Sequence, residues 1–359
     1  MTALGDFVGK IEFGSPLEWA GLAMVPVTGA AREAEPGYLL FQEAAGRGLT
    51  RVTELGTGVV PEVSFENLAE RPVLILGGEE LVGAKQNRMV NLTILVPARS
   101  RIVIPVSGVE AGRWYHVSAE FVPADHVAFR RVRASSTADV TASMRQHGAR
   151  RTRQALVWEE IAACAADLDA HSSTDAMHAI FDRRREEVEE FVSAMPWCEG
   201  QVGAAFLIAG QPVGMDVFDH PGTMAKLLAR LVRSYAVDAL AEQRSRKRAA
   251  PAQAEQQPKA SAQEIMERLR RWRSELQQAE ASVEPAVGMG QDFRSESPAA
   301  TAAALWVEDR FVHFCAFPRE ADQCERGNAG HGALADPAWR RRHIQRRGQS
   351  RRPDRGHDA

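Results

Sequence analysis

Glu79 and Glu80 stand side by side in Gly77-Gly78-Glu79-Glu80-Leu81-Val82-Gly83 and are the pair of carboxylates best placed to do chemistry. A carboxylate can act as general base or hold a divalent metal. Lys85, Gln86, Asn87, Arg88 and Asn91 follow closely. Amide and guanidinium groups supply the donors that read a phosphate, an amide or a nucleobase. The flanking glycines allow tight turns and close approach of backbone to a ligand. The plainer alternative is a polar turn whose Asn and Gln side chains bond to local backbone.

Two further groups have the same double character. In Glu110-Ala111-Gly112-Arg113-Trp114, the guanidinium can clamp an anion and the indole can stack on a ring. Equally, Trp114 can fill a core and Arg113 can pair with Glu110. The run from Asp216 through Asp219 to Thr223, followed by Lys226, lies where a strand passes into a helix. Free N–H groups and the helix dipole favour an anion there, but both aspartates can simply cap the helix. The candidate catalytic residues are therefore Glu79, Glu80 and Asp216. The candidate ligand-binding residues are Lys85, Gln86, Asn87, Arg88, Asn91, Glu110, Arg113, Trp114 and Asp219. His116 and His126 lack a spacing that compels a metal. No GxSxG, P-loop, HExxH or GxGxxG stands in usable context, so the sequence specifies neither metal nor cofactor.

Strands must position these groups. Leu92–Val96 and Ile102–Val106 are apolar runs predicted as strands, with Pro97-Ala98-Arg99-Ser100 as a hairpin loop between them. Leu22–Val27, Tyr38–Gln42, Val73–Leu76 and Trp114–Phe121 carry similar short patterns punctuated by Gly, Pro and Asn. Residues 10–135 therefore read as a mainly antiparallel sheet or sandwich.

From about residue 137 the period becomes helical, with Met177, Ile180, Phe181, Val188 and Phe191 on one stripe. The charge run Asp182–Glu187 reads as a solvated helix face. Residues 203–240 read as strand, turn, strand and helix, with Thr223 as N-cap. Residues 241–262 lack an apolar period and read as an exposed linker insertion. A helix over Ala262–Ala281 follows. The hairpin at 302–317 repeats the layout of 203–218 and aligns Cys315 with Asp216. The Arg-dense tail, 319–359, reads as disordered; a basic arm of this kind is the one feature that suits nucleic acid or an acidic partner.

The chain has 359 residues, 45% hydrophobic and 25% charged, with a net charge of −3. That suits a globular domain and gives no global field toward nucleic acid or anionic membrane. No signal peptide or membrane span is legible, so a soluble, cytoplasmic protein is expected. Cys164, Cys198, Cys315 and Cys324 are scattered without a CxxC pair and are expected as free thiols.

Taken in order, GEELVGAKQNR, ILVPARS, IPVSGVEAGRW, GMDVFDHPGTMAKLLARLVRSYAVDAL and RFVHFCAF resemble the ARG and rhodanese-phosphatase-superfamily-associated protein domain family of bacteria. The resemblance covers most of residues 10–318. Among the polar positions already named, it marks Glu79, Glu80, Gln86, Asn87, Arg88, Glu110, Arg113, Trp114, Asp216 and Asp219. The family often has Ser-Cys-Val-Glu where this chain has Ser107-Gly108-Val109-Glu110, so thiol chemistry at that position is absent here. The family's association with ADP-ribosylglycohydrolase and phosphatase-like proteins implies a role in NAD or ADP-ribose metabolism, by association alone.

The expectation is an α+β fold in one domain, 10–318. Its function would be to bind or process a nucleotide-like anion. Glu79 or Glu80 would serve as base or metal ligand, Gln86, Asn87, Arg88 and Arg113 would hold the anion, and Trp114 would stack. The alternative is a non-enzymatic module for a protein partner.

Overall fold

Nine strands share one antiparallel sheet: β1 (Glu12–Phe13), β2 (Leu17–Trp19), β3 (Leu22–Thr28), β13 (Gln201–Ile208), β14 (Gln211–Phe218), β15 (Ala281–Pro285), β16 (Gln291–Glu296), β17 (Ala300–Val307) and β18 (Arg310–Pro318). Their order is β1-β3-β13-β14-β18-β17-β16-β15, with β2 against β3. The computed structural model describes residues 3–29, 35–56, 58, 60–249 and 260–319. Period-two alternation makes both faces of the sheet apolar. Leu22 and Met24 point to one side, and Ala23, Val25 and Val27 to the other.

Helices cover both faces. Leu4 and Val8 of α1 (Ala3–Gly9) join Ile265, Leu269, Trp272 and Leu276 of α8 (Ala262–Gln278) over Val25, Ala205, Met215 and Phe314. The opposite face carries α3 (Arg130–His147) and the long α7 (Pro221–Ala249), with α4 (Gln154–Asp167) packed against both helices and β11. Leu231, Val232 and Tyr235 of α7 are buried with Phe206 and Phe218, and the Tyr235 ring stacks on Phe206 at 3.9 Å.

A six-stranded antiparallel sheet runs β12-β8-β9-β11-β6-β5, from β5 (Thr50–Glu54), β6 (Glu62–Asn67), β8 (Glu79–Gly83), β9 (Arg88–Val90), β11 (Ser100–Gly108) and β12 (Phe121–Val127). A small third sheet joins β10 (Ile94–Val96), β7 (Val73–Ile75) and β4 (Leu39–Leu40). With α2 (Phe41–Gly46), these sheets enclose Phe41, Phe65, Ile75, Leu81, Val90 and Ile104. Two short helices, α5 (His178–Arg183) and α6 (Arg185–Ala194), complete the chain's eight helices and eighteen strands among the described residues. The fold is α+β, with mostly antiparallel sheets.

Several local expectations are corrected. Residues 97–100 do not close a hairpin: β10 pairs with β7, whereas β11 pairs with β6 and β9. β10 is buried at every residue and β11 alternates, so the two suit different layers. Tyr38–Gln42 is a two-residue strand that turns into α2, whose first turn is secured by Glu43 accepting from the Leu40 N–H at 3.0 Å. Trp114–Glu120 is irregular, and the strand begins at Phe121. Pro221, not Thr223, opens α7, with His220 Nδ1 accepting from the Gly222 N–H at 2.9 Å. The charge run breaks at Arg184, between α5 and α6. α8 ends at Gln278, short of Ala281.

Residues 241–249, expected as linker, instead continue α7. Arg246–Glu242 and Arg248–Asp167 ion pairs line that segment, and basic residues suit a helix C-terminus. Residues 250–259 and the tail from 320 lie outside the described residues. The first three strands leave the other N-terminal strands: β1–β3 pair into the C-terminal hairpins through β13, while β4–β12 form the two smaller sheets. The two look-alike hairpins lie side by side, with Asp216 directly opposite Cys315. Cys164, Cys198 and Cys315 are free thiols. No helix among the described residues is long and apolar enough to cross a membrane.

Gly78 turns the chain into β8 with φ +97°. A Cβ there would lie 2.9 Å from Arg133 Cγ. Gly78→Ala is expected to lower unfolding free energy by about 1–3 kcal/mol. Gly46→Ala, at the end of α2 with open space around it, should be neutral or stabilising by less than about 1 kcal/mol. Urea denaturation of both variants checks the contrast.

Candidate functional site

Strand alternation sends the neighbouring glutamates Glu79 and Glu80 to opposite sides of β8. Both are fully buried, so each must find a charged or hydrogen-bonding partner. Glu79 takes Arg230 of α7 in an ion pair, and also accepts from the Leu76 N–H at 3.3 Å. Arg230 donates further to the carbonyls of Ala124 and His126. This pair ties α7 to the six-stranded sheet.

Glu80 faces a different set. Its Oε2 lies 2.7 Å from His126 Nε2 and 3.8 Å from His178 Nδ1, and its Oε1 accepts from Asn87 Nδ2 at 3.2 Å. Asn87 Oδ1 accepts from Arg113 Nη2 at 2.8 Å, and Arg113 Nε donates to Glu110 Oε2 at 2.8 Å. Glu110 also accepts from the Asn87 N–H at 3.1 Å and from Thr174 Oγ1 at 2.7 Å. The remaining Arg113 donors reach the Ala84 and Gly83 carbonyls. Glu80, Asn87, Arg113 and Glu110 thus form one buried relay from β8 to the loop after β11. Burial raises the Glu80 carboxyl, but the two histidines outweigh it and hold the group below the ordinary range. Glu80 lifts the His178 imidazole above its ordinary value.

The rest of the QNR word packs beside this relay. Arg88 is completely buried, donates to Gln86 Oε1 at 2.6 Å and lies 3.6 Å from Glu54. Burial lowers its guanidinium to about 10, still charged at neutral pH. Gln86 Nε2 donates to the Glu110 carbonyl at 2.5 Å. Trp114 is 40% exposed and lies under Arg88, 5.2 Å away, and Lys85, 5.7 Å away. Its face therefore meets the protein's own cations. Asn91 joins Ser107 at 2.7 Å and the Arg150 carbonyl at 3.1 Å.

Asp216 belongs to a separate centre. It forms a two-bond ion pair with Arg133 of α3 and accepts from Tyr235 Oη at 3.2 Å. His313 Nε2 lies 3.2 Å from Asp216 Oδ1, and His313 Nδ1 lies 2.8 Å from Thr93 Oγ1. A carboxylate only accepts, so Nε2 carries the proton and Nδ1 accepts from Thr93. Burial raises Asp216, yet Arg133 and His313 together hold it well below the carboxylate range. Burial also lowers His313, so it is neutral. Beside it a pocket of about 30 Å³ is lined by Gly77, Gly78, Thr93, Arg133, Arg294 and His313, among others. Asp219 stands apart from both centres, accepting from Tyr38 Oη at 2.5 Å and Arg310 Nε at 2.9 Å.

Of the sequence-derived candidates, Glu80, Asn87, Arg113 and Glu110 come together, with Gln86 and Arg88 alongside. Glu79, Asp216 and Asp219 go elsewhere. Sequence reasoning set His126 aside and missed His178, Arg133, Arg230 and His313. His178 sits one helical turn from Asp182, 3.5 Å away, which was a faint local signal. The Glu80–His126 pairing spans 46 residues, and no spacing rule reaches that far.

The lowered Asp216 and His313 values predict that stability falls on acidification. The unfolded chain protonates His313 first as pH falls, so this residue's contribution is present above about pH 6.5 and lost below it. Asp216, with its lowered folded value, contributes above about pH 4 and loses that contribution on further acidification. His313→Gln is expected to flatten the decline in unfolding free energy just below pH 6.5. Urea titrations at successive pH values measure it, and an equally steep decline in the variant contradicts the assignment.

Neither the curated proteins nor the solved structures include a match to this chain. The sequence model for the ARG and Rhodanese-Phosphatase-superfamily-associated Protein domain matches residues 10–317, a span that contains the Glu80 relay, the Asp216 centre and the pocket. The chain therefore belongs to the ARG and Rhodanese-Phosphatase-superfamily-associated Protein domain family.

Proposed function

We propose that the chain binds a phosphate-bearing, nucleotide-like anion, with an ADP-ribose derivative as the leading class. The observation that carries this reading is the pocket where the Gly77-Gly78 turn meets Arg133, Arg294, Thr93, Ser136 and His313. Its two arginines are oriented by bonds to Asp216 and Asp292, and those bonds leave Arg133 Nε and Arg294 Nη1 uncommitted to the pairs. Guanidinium groups held in place by carboxylates suit phosphoryl oxygens. The pocket's volume suits about two waters, so it takes one phosphoryl-sized end and leaves the rest of the ligand outside. In this reading Asn91 lines the pocket and Asp216 orients Arg133 and His313. Glu79, Glu80, Gln86, Asn87, Arg88, Glu110 and Arg113 support the strands that frame it. The link to ADP-ribose rests on the family's association.

A second reading, a module for a protein partner, is favoured by a different observation. Trp114, Tyr115 and Val117, in the segment leading into β12, and Val122, on β12 itself, expose 40%, 61%, 60% and 59% of their surfaces, and β12 is an edge strand. Exposed apolar groups on a sheet edge suit a partner chain.

Thermal-shift titration with inorganic phosphate, AMP, ADP-ribose and NAD separates the two readings. The expected result is a rise in Tm with ADP-ribose beyond that given by phosphate alone. Arg294→Lys, which keeps the charge but loses the fork, should weaken it by about 10-fold or more. No shift with any of the four, with or without magnesium, rejects the anion reading.

A further inference from the structure

We propose that Glu80, His126 and His178 bind one divalent transition-metal ion of the zinc–iron class. This goes beyond the anion reading, since the three residues share no position with the pocket lining. One ligand atom from each side chain lies within 4.8 Å of the others. Two imidazoles and one carboxylate make a donor set of catalytic zinc and of non-haem iron, with the remaining coordination positions left to water or substrate.

Three features single this group out. His178 Nδ1 is buried and has no hydrogen-bond partner, although Glu80 Oε2 is only 3.8 Å away. Ligands about 2.0–2.2 Å from a shared ion stand roughly 3–4 Å apart, so that separation already matches coordination. A buried hydrogen bond joins Glu80 to His126, whereas His178 Nδ1 stands beyond hydrogen-bond length from the same carboxylate oxygen.

The outer nitrogens are also arranged. His126 Nδ1 lies 3.1 Å from Asp125 Oδ1, and His178 Nε2 lies 3.5 Å from Asp182 Oδ2. A carboxylate on the far side of each ring fixes the proton there and turns the other nitrogen's lone pair toward the centre, which is how metal-bound histidines are held. Glu80 is oriented in turn by Asn87, which Arg113 and Glu110 lock in place. The relay beginning at GEELVG and ending at GRW thus has a purpose at its Glu80 end: it holds one carboxylate still.

The third feature is access. The Glu80 and His126 side chains are fully buried, and Phe181 stacks on His126 at 3.7 Å. The His178 side chain is 29% exposed, with Asp125 at 41% and Asp182 at 47%. The site therefore has a dry wall and one side open to solvent, where an ion can enter and a water can complete its shell.

The test uses the full chain, stripped with a chelator and titrated calorimetrically with Zn²⁺, Mn²⁺ and, under anaerobic conditions, Fe²⁺. Co²⁺ gives a visible absorption readout. One ion per chain is expected to bind for at least one of these metals. His178→Ala and Glu80→Gln should each weaken binding by about 100-fold or more while circular dichroism stays native, and Asp182→Asn by about 10–100-fold. Absence of binding by the wild-type chain overturns the proposal. So does unchanged affinity in folded His178→Ala, which assigns the ion to another part of the chain. Should His178→Ala fail to fold, Asp182→Asn decides by the same criterion.

Discussion

An ionised side chain taken out of water must meet its opposite or cost several kcal/mol. This constraint governs the interior here. Arg88, Arg113, Arg133 and Arg230 are all buried, and each faces a carboxylate: Glu54, Asp216 and Glu79 come from distant parts of the chain, and Glu110 stands three residues before Arg113. Apolar surfaces tolerate small slips between layers, whereas a buried guanidinium accepts its partner in few positions. Arg133–Asp216 fixes α3 against the large sheet, and Arg230–Glu79 fixes α7 against the smaller one. Such pairs add little net stability over a well-packed apolar pair, and removing one partner is what is costly.

The same constraint explains why so many polar residues of the signature words are not on the surface. Arg113 directs its donors to Glu110, Asn87 and three carbonyls. Arg88 is enclosed by Gln86, Glu54 and Trp114. These residues hold other residues. At the end of their chain is Glu80, whose neighbours are two histidines with carboxylates behind them. In the other centre, Asp216 and His313 hold Arg133 and Thr93 at the lip of a pocket. Both centres depend on β8 and the turn before it: Gly77-Gly78 lines the pocket, and Glu80 follows two residues later.

Much of the fold was legible because alternation and helical period report burial directly. Leu22–Val27, Val73–Leu76 and the hairpins at 203–218 and 302–317 all became strands near their expected limits. Strand partners were not legible. Leu92–Val96 and Ile102–Val106 are adjacent in sequence, yet they lie in different sheets, because pairing is decided by which layer can bury each strand. The alternating strands Thr50–Glu54 and Glu62–Asn67 escaped notice because charged residues interrupt them. The helix beyond residue 240 was hidden because its support is ionic rather than apolar. In the candidate site, Glu80, Asn87, Arg88 and Arg113 were found because local density of polar residues is visible in one dimension. His126 and His178 were not, since their relation to Glu80 exists only after β12 and α5 are folded against β8.

The central claim is that the buried charges converge to hold a cation between Glu80, His126 and His178. Crystals of the full chain soaked in zinc and measured above and below the metal's absorption edge test it most directly. The account predicts an anomalous-difference peak about 2.0–2.2 Å from Glu80 Oε2, His126 Nε2 and His178 Nδ1. Absence of that peak, with Glu80 still hydrogen-bonded to His126 and zinc found only at other positions, would contradict it.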